Sequence, residues 1–429
     1  MTAGTASAPG PGQLELLRSL TGLRDNPLAA VGNGVSLTRL KLFAFVYSAG
    51  LTGAAGAFFA VQKTVITPED FSGELSIFFL LVVVLGGLRR LHGALLGTLA
   101  FFLLPELMSA LHSWRLLIYG IGLLLLIRFM PDGIAGGIAK RWGRRPAPRT
   151  DAPAPARRVE VPRVQGARLQ VEAAVKRFGG VIALQDVSLD VPAGSIHAIV
   201  GPNGSGKTTL LNVVTRFYPM DAGSVLVDGM DVTSASPEAL AHDGVRRTFQ
   251  TPKLVPGLSV IENVMLGTYS SERAGLLQVA LNLPGARRER GRRLDEAMSY
   301  LHFVGMDGLA DMPAGEVPHG QQRLAEIARA LMARPRVLLL DEPAAGLSMT
   351  ELDGLCELIR AISAIGTTVV IVEHHLDLVA SLAGSVTVLD QGKVLAAGSP
   401  AEVFKDERVL AAYMGRRALK KETAEVADA

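Results

Sequence analysis

The stretch that decides the fold of the larger part of this chain is Gly201-Pro-Asn-Gly-Ser-Gly-Lys-Thr-Thr209. It matches the pattern G-x-x-x-x-G-K-[ST], in which glycines let backbone N–H groups converge on phosphate oxygens at the start of a helix. The apolar segment 195–200 predicts a strand before the loop, and the segment 210–215 suits a helix after it. Because such a pattern arises by chance in about one chain in a hundred of this length, it indicates a phosphate-binding loop.

Each residue of this loop is a candidate nucleotide ligand. We expect Lys207 to reach the β- and γ-phosphates of ATP and the Thr208 hydroxyl to ligate Mg²⁺. The predicted cofactor-binding residues of the loop are Gly201, Pro202, Asn203, Gly204, Ser205, Gly206, Lys207, Thr208 and Thr209.

A second nucleotide element follows in Val337-Leu-Leu-Leu-Asp-Glu-Pro343. Its apolar run predicts a buried strand that delivers two carboxylates to its C-terminal end, where ligands bind in open α/β sheets. We expect Asp341 to hold Mg²⁺ through water and Glu342 to accept a proton from the attacking water. Without the loop upstream, Asp-Glu-Pro after a strand would indicate only a solvated turn.

Further motifs follow in the order that the ATP-binding-cassette family uses, and residues 169–415 resemble that family. Gln250, in Thr-Phe-Gln-Thr-Pro, resembles the Q-loop glutamine that senses the metal and the attacking water. His374, in Ile-Val-Glu-His-His, resembles the switch histidine that contacts the γ-phosphate. The resemblance implies Glu342, His374 and Gln250 as catalytic residues, and Thr208, Gln250 and Asp341 as the metal site.

The segment Pro318-His-Gly-Gln-Gln-Arg323 resembles the family signature, and Gly346 resembles the glycine of the D-loop. The resemblance implies a dimeric ATP sandwich in which Gly320 and Gln321 face the phosphates bound by the partner cassette. Pro318 departs from the pattern, because the signature usually carries a serine whose hydroxyl reaches the γ-phosphate. Proline is tolerated in the first turn of a helix, so the departure affects the expected rate of hydrolysis more than nucleotide binding.

Phe178 precedes the phosphate loop at the position where the family stacks an aromatic ring on adenine. Aromatic side chains are mostly core residues, so burial in the core competes equally with stacking. The sequence leaves both alternatives open.

The first third of the chain has the composition of a membrane segment. Apolar residues make up 49% of the 429 residues, and the excess lies before residue 132. Residues 42–61 are uncharged and long enough to span a bilayer, which takes about 20 residues. Three shorter or interrupted runs follow, at 75–88, 91–104 and 116–130. Four such runs with few charges predict about four transmembrane helices, whereas a single 14-residue run would also suit a buried or re-entrant helix.

Basic residues predict the orientation of this segment. Arginine and lysine precede the first run, Arg89 and Arg90 separate the second from the third, and four basic residues follow the last, within 140–145. The positive-inside rule places all of these in the cytoplasm. We therefore expect a multi-pass protein of the bacterial cytoplasmic (inner) membrane, with its ATPase domain in the cytoplasm. A single cysteine, Cys356, fits a reduced compartment.

The predicted fold class is an α-helical transmembrane segment of about four spans followed by an α/β P-loop ATPase domain of the ATP-binding-cassette type with a helical subdomain. The basic run 287–293 favours a solvated loop over a nucleic-acid site, because the net charge is only +3. The predicted domains are a flexible N-terminus (1–22), a cytoplasmic coupling loop (23–41), a transmembrane permease segment (42–141), a Pro/Ala/Arg-rich linker (142–165), the cassette (166–415) and a charged tail (416–429).

A narrower resemblance links both parts of the chain. Residues 23–32 resemble the coupling loop of the branched-chain amino acid permease family, and Leu103-Leu-Pro-Glu-Leu107 continues that similarity. Lys176-Arg-Phe-Gly-Gly180 and Gly398-Ser-Pro-Ala-Glu402 resemble the matching ATPase. The chain is thus similar to the C-terminal half of that permease fused to its ATPase, which implies import of small amino acids or amides.

The resemblance also implies a set of partners. These are a second ATP-binding cassette, as homo- or heterodimer, a permease subunit that supplies the spans missing before the coupling loop, an external substrate-binding protein and the lipid bilayer; no nucleic acid is expected. We expect the chain alone to hydrolyse ATP without transporting a substrate. Two alternatives stay open, namely an export-type half-transporter and a membrane-anchored regulatory ATPase that does not transport.

Overall fold

The structure is a computed structural model of the 429-residue chain. It divides into two compact units, one formed by Met1–Phe43 with Asp151–Ala429 and the other by Ala44–Thr150. The residues that the structure describes are 31–63 except 33, 65–67, 70, 73–87, 93–99, 128, 161–271 and 284–414.

Helix α1, Leu37–Gln62, covers the first predicted span. Within the described part of the chain, it is the one helix whose length and apolar composition suffice to cross a membrane. It begins five residues before the predicted span, and its 26 residues rise about 39 Å. Large apolar side chains such as Phe45, Val46 and Phe58 are exposed along it, which suits a helix surrounded by lipid.

Helical structure also occurs in the second and third predicted runs. Helix α2, Gly73–Gly86, has 14 residues, and residues 93–99 are helical as well. A Cβ atom on Gly97 would lie 3.0 Å from the backbone of Gly86, so the two helical segments approach each other through glycines, as is common in membrane helices. The fourth run, 116–130, lies outside the described residues apart from Arg128.

The C-terminal part contains two sheets. The strands are β1 (Leu169–Phe178), β2 (Val181–Val191), β3 (Ile196–Val200), β4 (Ala222–Val227), β5 (Met230–Asp231), β6 (Val245–Arg247), β7 (Val337–Asp341), β8 (Thr368–Val372), β9 (Ser385–Asp390) and β10 (Lys393–Gly398). A four-stranded sheet has the order β2-β1-β4-β5, and a six-stranded sheet has the order β10-β9-β3-β8-β7-β6. In the larger sheet, neighbouring strands are parallel except β9 and β10.

The central strands β7 and β8 are buried along their whole length. A parallel sheet covered by helices on both faces buries both sides of each strand, so its strands are continuous apolar runs rather than alternating ones. The helices of this part are α3 (Lys207–Val214), α4 (Pro237–His242), α5 (Val260–Met265), α6 (Pro284–Phe303), α7 (His319–Leu331), α8 (Met349–Ala364), α9 (Leu376–Leu382), α10 (Pro400–Val403) and α11 (Glu407–Met414).

Helices α5, α6 and α7 pack on one another and form the predicted helical subdomain. Their shared core includes the fully buried side chains of Tyr300, Leu301 and Ile327. This arrangement places the signature helix α7 between the small helical layer and the large sheet.

The basic run 287–293 lies in helix α6, so the predicted solvated loop is wrong. Two features explain the helix. Arg293 pairs with Glu289 one turn earlier at 2.5 Å, and such pairs stabilise helices. Ala297, Tyr300 and Leu301 then form a buried apolar face at helical spacing, which holds the basic turns in the same helix.

Candidate nucleotide-binding site

The phosphate loop connects β3 to α3 at the carboxyl end of the large sheet. Helix α3 begins at Lys207, three residues before the predicted helix, so Lys207 and Thr208 lie in its first turn. Gly206 has a φ of +105°, and a Cβ atom there would lie 2.7 Å from the carbonyl oxygen of Ala183. Glycine is therefore required to close the loop. The N–H groups of the first helical turn have no carbonyl partner within the helix, which makes this end of α3 suitable for phosphate.

Two polar groups of the loop lie where a phosphate would meet them. The buried ammonium group of Lys207 donates to the carbonyl oxygens of Gly201 at 2.7 Å and Pro202 at 2.9 Å. Burial lowers the pKa of Lys207, while the nearby charges of Glu342 and Asp341 act in the opposite direction. The buried hydroxyl of Ser205 has no hydrogen-bond partner among the described residues. Since buried hydroxyls are normally paired, the loop fits a bound phosphate.

The two predicted carboxylates lie at the end of β7, beside the loop. The backbone of Glu342 has a φ of +47°, and its N–H donates to the carbonyl oxygen of Val372 at 2.9 Å. Its carboxylate accepts a hydrogen bond of 2.8 Å from the side-chain amide of Gln250. Asp341, in contrast, accepts a bond of 2.7 Å from the guanidinium of Arg247. The structure therefore brings Gln250 and Glu342 together and gives Asp341 a basic partner that was not predicted.

His374 follows β8, and its side chain is exposed at the same edge of the sheet. The preceding residue, Glu373, is fully buried, and burial raises the pKa of its carboxyl group. The Glu373 carboxylate accepts the N–H of Ala344 at 2.7 Å and the N–H of His374 at 3.2 Å. It thereby links the histidine backbone to the start of the segment that holds Gly346.

The Q-loop is fastened to the signature helix α7 by three side chains on one helix face. Arg323 donates to the carbonyl oxygen of Gln250 at 2.6 Å and also to that of Glu342. Glu326 accepts the N–H of Lys253 at 3.0 Å, and Arg329 donates to the carbonyl oxygen of Lys253 at 2.7 Å. Residues three apart on a helix share a face, so α7 and the Q-loop form one connected element.

The signature residues lie at the start of α7. Pro318 occupies the N-cap position with φ −54° and ψ 148°, one residue before the first turn where it was expected. Gly320 and Gln321 are half-buried. A Cβ atom on Gly320 would lie 2.9 Å from a methyl group of Leu347. The small size of Gly320 therefore lets the signature approach the segment that follows Gly346.

Phe178 is 43% exposed, so the alternative of core burial is wrong. Its ring packs edge-to-face on Tyr218, with a centroid distance of 5.3 Å and an interplanar angle of 78°. The ammonium group of Lys176 lies 5.3 Å from the ring centroid. An exposed and supported ring is compatible with stacking on adenine, which stays a prediction.

Val31 and Gly32 lie against the cassette next to the Q-loop. The guanidinium of Arg246 donates to the carbonyl oxygen of Gly32 at 2.9 Å. A Cβ atom on Gly32 would lie 3.9 Å from the rings of Phe217 and Phe249. Val31, on the same short segment, is buried. The middle of the predicted coupling loop, 23–41, thus lies against the strand and loop that lead to Gln250, whereas residues 37–41 of that prediction belong to helix α1.

Several of these residues were not anticipated from the sequence, namely Arg246, Arg247, Arg323, Glu326, Arg329 and Glu373. Arg246 and Arg247 could have been found from the sequence, because charged residues rarely occur in a buried parallel strand without a partner. Two arginines in such a strand therefore predict buried ion pairs or hydrogen bonds. The other positions lie on helix α7 or after β8, where one-dimensional patterns do not show which side chain meets which loop.

Three protein families match separate parts of the chain. The family described as "ABC transporter" matches residues 184–345. The permease component of the branched-chain amino acid transport system matches residues 18–127, and the branched-chain amino acid ATP-binding cassette transporter family matches residues 393–418. The permease and ATPase parts expected from the sequence are both confirmed.

Curated relatives match the cassette part. The high-affinity branched-chain amino acid transport ATP-binding protein BraF of Pseudomonas aeruginosa is 36% identical over 248 residues, which cover 58% of this chain and 97% of BraF. The corresponding protein LivG of Escherichia coli K12 gives the same values. A probable LivG of Methanocaldococcus jannaschii is 36% identical over 251 residues, covering 58% of this chain and 97% of that protein.

Solved structures match the same part. A nucleotide-free ATP-binding cassette from an ABC transporter is 34% identical, with a TM-score of 0.52, and covers 58% of this chain and 99% of its own. An ATP-binding cassette in its ADP conformation is 35% identical, with the same TM-score and the same coverage. Because relatives of this identity are covered over almost their full length, the chain belongs to the ABC transporter family, among the branched-chain amino acid transport ATP-binding proteins.

Proposed function

We propose that this chain is the ATP-hydrolysing subunit of an importer for branched-chain or other small amino acids or amides. The observation that carries the proposal is the hydrogen bond of 2.8 Å between Gln250 and Glu342, at the sheet edge that also holds the phosphate loop. The names of the curated relatives support the substrate class. The permease match supports a place in the membrane, which we assign to the bacterial cytoplasmic membrane with the cassette in the cytoplasm.

The roles of the residues follow from their positions. Lys207 exchanges the carbonyl oxygens of Gly201 and Pro202 for phosphate oxygens when nucleotide binds. Glu342, held by Gln250, accepts a proton from the attacking water, and the exposed His374 contacts the γ-phosphate. Bound Mg²⁺ neutralises phosphate charge and would be held by Thr208, Gln250 and Asp341.

Hydrolysis on this proposal takes place between two cassettes. The half-buried Gly320 and Gln321 lie at the start of α7, where helix N–H groups are available to an anion. We assign them to the nucleotide bound by the partner cassette. An external binding protein would deliver the substrate to the permease side.

The contact of Val31 and Gly32 with the cassette supports coupling between the membrane segment and the cassette. Arg246 holds the carbonyl oxygen of Gly32, and Phe249, whose ring lies beside Gly32, directly precedes Gln250. A displacement of Gly32 would therefore move Phe249, the residue next to the proposed catalytic glutamine. We propose that substrate-dependent movement of the permease reaches the nucleotide site by this route.

The test is transport in sealed proteoliposomes. The chain, a permease subunit and the binding protein are reconstituted, and uptake of radiolabelled leucine, valine and a short-chain amide is measured with and without ATP. ATP-dependent uptake that stops in Glu342→Gln supports the proposal. Outward transport would indicate an exporter instead, and ATP hydrolysis without movement of any substrate in either direction would indicate a regulatory ATPase.

A further inference from the structure

Arg247 lies between the two structural elements that carry the proposed magnesium ligands. We propose that it is a positioning residue that weakens Mg²⁺ binding, because its guanidinium shares the carboxylate of Asp341 with the ion. The proposal rests on the proposed nucleotide site and adds a control on its metal affinity.

The ion pair between Arg247 and Asp341 is short and buried. The guanidinium Nη2 donates to Oδ2 of Asp341 at 2.7 Å, and each side chain is 4% exposed. Water and salt screen such a pair far less than a surface pair. The positive charge of Arg247 therefore acts on Asp341 with less screening than a surface charge would, and Oδ1 is the oxygen that remains for the metal or its water.

The other arm of the guanidinium is fixed to helix α3. Its Nη1 donates to Oδ1 of Asn212 at 2.6 Å and lies 3.4 Å from the hydroxyl of Thr215. Asn212 and Thr215 are at the end of the same helix that begins with Lys207 and Thr208. Arg247 therefore bridges the helix of one proposed metal ligand, Thr208, to the strand of the other, Asp341.

Contacts with Asn212, Asp341 and Phe249 hold the guanidinium of Arg247 in place when Mg²⁺ binds. The guanidinium carbon of Arg247 lies 5.5 Å from the ring centroid of Phe249, and both of its Nη atoms donate hydrogen bonds. A fixed single positive charge next to a divalent cation opposes binding of that cation. Since the guanidinium stays in place, the carboxylate of Asp341 is partly neutralised before Mg²⁺ binds.

The same ring of Phe249 lies beside Gly32. Two side chains, Phe249 and Arg247, thus lie between Gly32 and the carboxylate of Asp341. A displacement of Gly32 would therefore change the position of Arg247 and with it the affinity for Mg²⁺, as well as the position of Gln250.

The test measures the metal dependence of nucleotide binding rather than turnover. Mg²⁺ is titrated into the purified full-length chain with a subsaturating fluorescent ATP analogue, and the Mg²⁺ concentration at half-maximal anisotropy is recorded. Arg247→Gln removes the charge and should lower this concentration about tenfold. Arg247→Lys keeps the charge and should stay within about threefold of the unmodified chain. Arg336→Gln is the matched control, because Arg336 pairs with Asp228 at the opposite end of β7.

Each outcome has a definite meaning. An unchanged or increased Mg²⁺ requirement in Arg247→Gln overturns the proposal. So does a decrease in Arg247→Lys equal to that in Arg247→Gln, because the charge would then be irrelevant. Arg247→Gln is judged unfolded if it no longer binds the analogue in EDTA. In that case Arg247→Lys is the test, and a change of more than about threefold in its half-maximal Mg²⁺ concentration overturns the proposal. Failure of the unmodified chain to bind the analogue in EDTA, or full binding by Lys207→Ala, would instead reject the nucleotide site itself.

Discussion

Gln250 and Glu342 are joined twice, once through their side chains at 2.8 Å and once through Arg323, which donates to the backbone carbonyl oxygen of each. Arg323 belongs to the signature helix α7. The carboxylate at the end of β7, the Q-loop and the signature helix are therefore one hydrogen-bonded unit. On the proposed function, movement of α7 that breaks this unit would withdraw support from Glu342, and the helical subdomain would then control hydrolysis.

Replacement of Glu342 by glutamine should leave ATP bound while turnover falls by about two to three orders of magnitude, because the amide cannot accept the proton of the attacking water. Trapped ATP should stabilise a dimer. Phosphate release and size-exclusion chromatography with ATP measure both effects. Glu296→Gln, at a surface pair with Arg334, is the control. Unchanged hydrolysis in Glu342→Gln would show that Glu342 is not the base.

Replacement of Gln250 by alanine should lower turnover about tenfold while the KM for ATP rises by no more than about threefold. Glu342 loses one hydrogen-bond donor and Mg²⁺ loses one of its three proposed ligands, whereas the phosphate loop, which supplies the contacts to the phosphates, is untouched. Steady-state kinetics separate the two quantities as kcat and KM. Gln170→Ala, on strand β1 of the small sheet, should change neither. A rise in KM without a fall in kcat would contradict the supporting role of Gln250.

The sequence predicts the parts of this site that depend on local pattern. The phosphate loop, the strand ending at Asp341 and the start of α7 all combine a periodic apolar run with residues of special backbone geometry, so their positions follow from short segments. The helix predicted over 42–61 is confirmed for the same reason, since 20 uncharged residues admit few alternatives.

The parts that escaped prediction depend on tertiary contacts. Arg247 meets Asp341 across 94 positions of sequence, and Glu326 meets Lys253 across 73. The charge of the run 287–293 favours a loop when taken alone, and the apolar face that follows it, at Ala297, Tyr300 and Leu301, is what makes the run helical. Pairings across such distances are set by the strand order of the sheet, which no local pattern contains.

The buried pair of Glu326 and Arg329 should be a strong determinant of stability. Their side chains meet at 3.1 Å and are almost completely buried. Arg329→Met leaves the carboxylate of Glu326 buried without its main partner and should lower the free energy of unfolding by about 3 kcal/mol. Urea unfolding followed by fluorescence measures the change. Arg168→Met, which breaks a pair with Asp190 in which both side chains are about half exposed, should cost less than about 1 kcal/mol; equal losses would contradict the argument.

His197, in the strand that leads to the phosphate loop, should make stability depend on pH. Its ring lies 2.7 Å from the hydroxyl of Ser385 and 3.0 Å from that of Thr387. Burial lowers the pKa of His197 to about 4, against a smaller opposite effect of Asp190, whereas the unfolded chain has the ordinary value of about 6.5. Between these values only the unfolded chain binds the proton, so the free energy of unfolding should fall by about 3 kcal/mol as the pH drops from 6.5 to 4.

The measurement for His197 is urea unfolding across this pH window. His197→Gln keeps a neutral polar side chain and should remove most of that slope, although it lowers stability at neutral pH. His242→Gln, at an exposed helix end, should retain the slope of the unmodified chain. Equal slopes for the unmodified chain and His197→Gln would show that this imidazole does not account for the pH dependence.

Pro318→Ser should raise turnover or leave it unaltered. A serine at the N-cap of α7 accepts an N–H of the first helical turn, worth about 1 kcal/mol of stability, and offers the γ-phosphate of the partner a hydroxyl worth a few kcal/mol at most in the transition state. Pro318→Ala has neither group, so the ratio of turnover between the serine and alanine variants isolates the hydroxyl. A large loss of turnover in both variants would instead show that the fixed backbone of proline sets the start of α7, since the Pro318 carbonyl oxygen accepts the N–H of Gln322 at 2.9 Å.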